Sequence, residues 1–116
     1  MQVAFIAVTL VAIVINAAES VANFARIPFV KANAAAVGVP ESWLPGLGLA
    51  KGAGALGLAA GLAGLQPVGV AAAAGLVLFF VCALVAHIRA KVYYNIAGPI
   101  FFLVFSIAAL ALMIAH

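Results

Sequence analysis

Apolar residues run nearly unbroken through four stretches of this chain, at about 3–18, 47–65, 68–86 and 96–115, and polar residues gather between them. A helix needs ~20 residues to cross the ~30 Å hydrocarbon core of a bilayer, and each stretch comes close to that length. The pattern predicts helices over roughly 2–23, 46–65, 68–89 and 95–115. The expected fold is all-α and membrane-integral: a four-transmembrane-helix up-down bundle forming one domain over 1–116, with a short interfacial segment between helices 1 and 2.

The connections carry the turn chemistry. Residues 24–46 hold Pro28, Gly38, Pro40, Pro45 and Gly46, all helix breakers or turn formers. Residues 29–37 could form a short helix lying in the interface, with Phe29 and Val30 inward and Lys31 and Asn33 outward. Trp43 belongs at headgroup depth. Gln66-Pro67 marks a tight hairpin, Tyr93 and Tyr94 are interface anchors, and Pro99 falls in the first turn of the last helix, where its missing N–H does little harm.

Charge changes the picture in two ways. Only 6% of residues are charged and 70% are hydrophobic, whereas soluble domains carry ~25% charge; lipid is the expected solvent. With four crossings, Glu19, Arg26, Lys31, Glu41, Lys51, Arg89 and Lys91 all fall at or near one end. Cytoplasmic loops of membrane proteins are enriched in Lys and Arg. The two connections bearing these bases are therefore expected in the cytoplasm, with both termini outside and the chain in the plasma membrane. A net charge of +3 is too small and too localised to indicate nucleic acid. Cys82 is the lone cysteine, so neither an intrachain disulfide nor a Cys-x-x-Cys pair can form. The N-terminus lacks a basic leader region, and the first stretch is expected to be a permanent helix.

Two stripes suggest how the helices pack. Gly54, Gly57, Gly61 and Gly64 recur at helical spacing, and Gly75 adds a small surface beside them. Small residues let helices approach closely in lipid, where no hydrophobic drive joins them; packing within the chain is the first reading and a self-association face the second. On the first helix, Thr9, Ala12, Asn16, Glu19, Asn23 and Arg26 share a face that should turn toward the bundle axis.

These stripes converge on a polar end, where Glu19, Lys51, His87, Arg89, Asn16, Asn23 and Asn95 form a candidate ligand-binding set. Glu19 needs a cation below the headgroups, Lys51 first and Arg89 second. Such a pair either locks the bundle or holds a ligand headgroup, a proton or a partner. His87 either faces headgroups or hydrogen-bonds a lipophilic carbonyl. Phe79, Phe80, Phe101, Phe102 and Phe105 are either bulk or the lining of a pocket for a flat lipophilic molecule. A single histidine without a second ligand one turn away does not indicate a metal or haem. No phosphate loop, catalytic triad or zinc-protease motif can be assembled, so the sequence leans away from an enzyme and assigns no catalytic residue.

The run Gly38-Val39-Pro40-Glu41-Ser42-Trp43-Leu44, the glycine-rich Leu49-Ala50-Lys51-Gly52-Ala53-Gly54-Ala55-Leu56-Gly57-Leu58, and Ala83-Leu84-Val85-Ala86-His87-Ile88-Arg89 resemble the DoxX-like family, specifically its short four-helix branch. The segments Pro67-Val68-Gly69-Val70-Ala71-Ala72 and Gly75-Leu76-Val77-Leu78-Phe79-Phe80 extend the likeness to about half the chain. The resemblance implies a membrane bundle of poorly defined activity. Relatives in the wider family look like membrane partners of thiosulfate-oxidising and quinone-linked redox systems or of oxidative-stress enzymes, and distant eukaryotic ones like assembly chaperones. Lys51, His87 and Arg89 carry over as motif positions only. Where many relatives have an acidic residue soon after the arginine, Lys91 and Val92 follow here.

Three functions are weighed. The first is a non-catalytic accessory or assembly subunit of a membrane, redox-linked complex, with lipid and another membrane protein or itself as partners. The second is a subunit binding a quinone or another lipophilic ligand, a quinone being the one cofactor considered. The third is a small proton-coupled transporter, similar to the small multidrug resistance family in length and in its first-helix glutamate; the position of Glu19 near the helix end and the long first connection count against it.

Overall fold

The computed structural model describes residues 2–116. The chain is all-helical: α1 (Gln2–Ala25), α2 (Pro28–Ala36), a 3-10 turn (Glu41–Trp43), α3 (Leu44–Leu62), α4 (Gln66–Ala90) and α5 (Ala97–Ala115). α1 packs on α3, α3 on α4, α4 on α5, and α5 closes back onto α1. The long helices run between two ends of a body measuring 39 × 25 × 19 Å. At one end the chain termini meet, with the Phe5 and His116 rings stacked at 4.1 Å. The same end holds the α3–α4 turn, where Gln66 Nε2 donates to the carbonyls of Met113 (2.9 Å) and Ile114 (3.3 Å). Those carbonyls lie in the last turn of α5, where helical partners run out.

The expectation of four spanning helices is corrected. Among the described residues, three helices are long and apolar enough to cross a membrane: α1, α4 and α5. At ~1.5 Å per residue, the 24 residues of α1 reach roughly 36 Å. α3 is different because Pro45, Lys51 and its many glycines deny it the apolar side chains a lipid-facing span presents. The protein is an all-α membrane bundle in which three of the five α-helices have the length and apolarity of a membrane span, and α3 is held against α1 and α4.

That packing rests on close backbone approach. A Cβ on Gly61 would lie 2.6 Å from the Gly69 Cα of α4 and 2.8 Å from the Met113 Cε of α5, so three helices meet over this one residue. Gly57 faces Ala72 and Gly54 faces Leu76 in the same way. Gly64 and Gly75 play no such part. Gly64 lies past the end of α3 with φ +117°, serving the turn, and Gly75 has open space above it. The glycines that bring α3 onto α1 are instead Gly48, which meets Asn23 and the Ser20 carbonyl, and Gly52, which meets Ser20 Oγ.

The inner face of α1 is Phe5, Thr9, Ala12, Asn16, Ser20 and Asn23. Glu19 sits at the edge of this face and Arg26 is exposed beyond it. At ~3.6 residues per turn, three turns past Thr9 fall nearer Ser20 than Glu19, which is why Ser20 takes the inward place. In α2, Val30 and Ala34 pack on Leu44, while Phe29 is 67% exposed.

Because Gly61 is crowded and Gly75 is not, the two should respond oppositely to added bulk. Gly61→Val is expected to lower stability by about 1–3 kcal/mol, read as an earlier thermal unfolding midpoint in detergent. Gly75→Ala should leave the midpoint unchanged. Equal responses would contradict the packing described.

Candidate functional site

The end opposite the termini is where the polar residues collect. Ser20 Oγ donates to the Gly48 carbonyl (2.7 Å) and Asn23 Nδ2 to the Leu44 carbonyl (3.3 Å), which ties α1 to the first turns of α3. One turn further along α3, Lys51 Nζ lies 3.6 Å from Glu19 Oε1, the pairing expected from the sequence, and 3.4 Å from Asn23 Oδ1. The ammonium also sits 5.6 Å from the centre of the Phe79 ring on α4, within reach of a cation–π attraction. Lys51 is buried and Glu19 one-third exposed. A carboxylate and an ammonium thus neutralise each other where two helices meet, with an amide oxygen and a ring taking up the rest of the ammonium's surroundings.

α4 contributes His87 from its last turn. The ring is buried, and Nδ1 lies 2.9 Å from the Ala83 carbonyl one turn back. A carbonyl only accepts, so Nδ1 carries the proton, and in the imidazole with that tautomer Nε2 is an acceptor. α4 then stops at Lys91, whose left-handed φ of 57° lets the Lys91 and Val92 amides bond back to the carbonyls of Ile88 and His87. In the connection that follows, Asn95 Nδ2 donates to Asn33 Oδ1 of α2 at 2.7 Å. Asn33 therefore turns in rather than out, and α2 is fastened to the start of α5.

These residues border a cleft of about 1140 Å³ at the polar end. Glu19, Asn23, Lys51, His87, Asn33 and Asn95 supply its polar groups, and its walls are mainly apolar, with Phe79, Phe80 and Phe102 among them. Trp43 and Phe29 stand at its rim, and Gly75 and Cys82 line it from α4. α2 forms one side of the cleft, set between the left-handed residues Arg26 (φ 51°) and Gly38 (φ 77°). Glu41 fastens the corner by pairing with Arg26 (3.4 Å) and Lys31 (3.6 Å); both pairs are exposed and add little stability.

Of the residues singled out in the sequence, Glu19, Asn23, Lys51, His87 and Asn95 come together around this cleft. Arg89 does not: it is exposed and makes no ion pair among the described residues. Asn16 lies deeper in the core, its Nδ2 donating to the Ala12 carbonyl (2.9 Å). Phe101 and Phe105 pack against each other with tilted rings and do not line the cleft. Ser20, Asn33, Gly48 and Gly52 were not anticipated. The spacing of α1 pointed to Ser20, and a glycine face running from Gly48 through Gly52 could have been read alongside the one at Gly54–Gly61.

Breaking one side of the Glu19–Lys51 pair should cost more than removing both. Lys51→Met leaves the carboxylate and Asn23 Oδ1 without their partner, an expected loss of about 1.5–3 kcal/mol, and Glu19→Gln in the same chain should restore most of it. Additive losses in a thermal double-mutant cycle would show that the two groups do not interact.

The DoxX-like family matches the chain over residues 7–109, from the second turn of α1 to the middle of α5. No curated protein and no solved structure gives a significant match. The matched region takes in α2, α3 and α4 whole, together with every residue that borders the cleft. On the extent of that match, the chain belongs to the DoxX-like family.

Proposed function

We propose that this DoxX-like multi-pass membrane protein binds a lipophilic small molecule in the cleft, with the molecule's polar head at the level of Lys51 and His87. The cleft carries this reading. Ligand sites are concave and mostly apolar with a few converging polar groups, in volumes of roughly 300–1,000 Å³; this cleft, at about 1140 Å³, is slightly larger and shares the apolar walls and the few polar groups. The phenylalanine wall supports a flat ring, such as a quinone-type headgroup, or a hydrocarbon chain.

The accessory-subunit reading drew on a glycine face free to meet another membrane protein. Gly54, Gly57 and Gly61 are taken up inside the bundle, which favours the ligand reading over docking through that face. We further infer that the end bearing Arg26, Lys31, Arg89 and Lys91 faces the cytoplasm, as the distribution of Lys and Arg favours.

Gly75 gives a direct test, because it borders the cleft and nothing lies within 4 Å of a Cβ built on it. Native mass spectrometry of the protein in mild detergent should reveal a retained lipophilic molecule. Gly75→Leu should abolish retention while leaving thermal stability intact. A wild-type protein that retains and binds nothing lipophilic, or a Gly75→Leu variant that binds as before, would rule the reading out.

A further inference from the structure

The hydrogen-bonding groups of the cleft are matched to one kind of head, and this inference rests on the ligand reading above. Lys51, the one Lys or Arg bordering the cleft among the described residues, directs its ammonium to Glu19, Asn23 and the Phe79 ring, all within the protein. Beside that ammonium, the groups left open are acceptors. His87 uses Nδ1 on the Ala83 carbonyl, so Nε2 is the acceptor of that imidazole tautomer and makes no hydrogen bond among the described residues. Asn95 uses Nδ2 on Asn33, and its Oδ1 is buried with no hydrogen-bond partner among the described residues. Both residues border the same cleft. An orphaned buried acceptor is costly, and a ligand that supplies the missing donor is favoured over an isostere that cannot.

We propose that the cleft selects a neutral lipophilic alcohol or phenol, whose hydroxyl donates to His87 Nε2 or Asn95 Oδ1 while its hydrocarbon part lies along the apolar wall. A ketone or quinone carbonyl only accepts, so it brings nothing to either group. An anionic head meets the Glu19 carboxylate, and an ammonium head adds a second cation beside Lys51. A neutral hydroxyl escapes both penalties, and one that also accepts can engage any proton of Lys51 left over.

The test compares two probes that differ only at the head: 4-nonylphenol and its methyl ether, 4-nonylanisole. Trp43 is the only tryptophan and stands at the cleft rim, so its fluorescence reports occupancy in the full-length protein in detergent. The phenol is expected to bind about tenfold more tightly than the ether, the loss a missing donor produces at a buried acceptor. His87→Phe combined with Asn95→Leu should erase the difference by weakening the phenol alone. Equal binding of the two probes by the wild-type protein overturns the hydroxyl preference and leaves the cleft reading standing; this comparison needs no variant to fold. A phenol preference that survives the double replacement also overturns the assignment to these acceptors. Failure of both probes to bind removes the cleft reading and the hydroxyl preference together.

Discussion

A polar side chain surrounded by hydrocarbon is costly unless it meets a partner inside the protein, since neither lipid nor water is there to meet it; Ser20 and Asn23 find one, while Thr9 Oγ1 and Asn16 Oδ1 have none among the described residues. α1 carries a row of such side chains along one face, and the organisation of the bundle follows from where they turn. Thr9, Asn16, Ser20 and Asn23 are all buried. Ser20 and Asn23 reach backbone carbonyls of α3, which requires the α3 backbone to come within hydrogen-bond range; Gly48 and Gly52 permit that approach. Glu19, at the edge of the same face, meets Lys51 from α3. The α1–α3 contact is therefore polar in cause and glycine-mediated in form.

The same constraint explains why α3 can sit in a membrane bundle without the apolarity of its neighbours. Its glycines contribute little lipophilic surface, but they admit the backbones of α1 and α4 and the Met113 side chain of α5. Lys51 would be prohibitive on an isolated span and is acceptable here because its counter-charge arrives from α1. Having α3 drawn in at the polar end, with α2 tied across to Asn95, leaves the cleft between α1, α2, α3, α4 and the start of α5. The ligand reading thus grows out of packing: the groups that hold the helices together also furnish the cleft's polar surface.

Much of this was legible in the sequence, and the misses have physical reasons. Hydrophobic run length marked the long helical stretches but could not tell that one of them owed its apolar look to glycine and alanine, which bring little side chain to lipid. Pairing of Glu19 with Lys51 followed from depth and charge alone. Asn33 was misplaced because a short amphipathic helix was oriented by the lipid interface, whereas Asn95 offered a partner from the far side of the chain. Depth places Arg89 at the same end as His87, yet two residues along a helix separate side chains by more than half a turn; His87 is buried and Arg89 exposed. The cleft itself had no sequence signal, since it arises from residues on five helices.

The central claim is that one acid and one base from different helices meet inside the bundle. Solid-state NMR can measure this as the dipolar coupling between the Lys51 ammonium nitrogen and the Glu19 carboxyl carbon. In a Glu41→Gln background, Glu19 is the sole carboxylate side chain. The structure's Nζ–Oε1 separation of 3.6 Å predicts a strong coupling, lost on Glu19→Gln. No coupling between the two, with the bundle folded, would mean that Glu19 and Lys51 find separate environments, and the origin assigned here to the α1–α3 contact and to the cleft would be wrong.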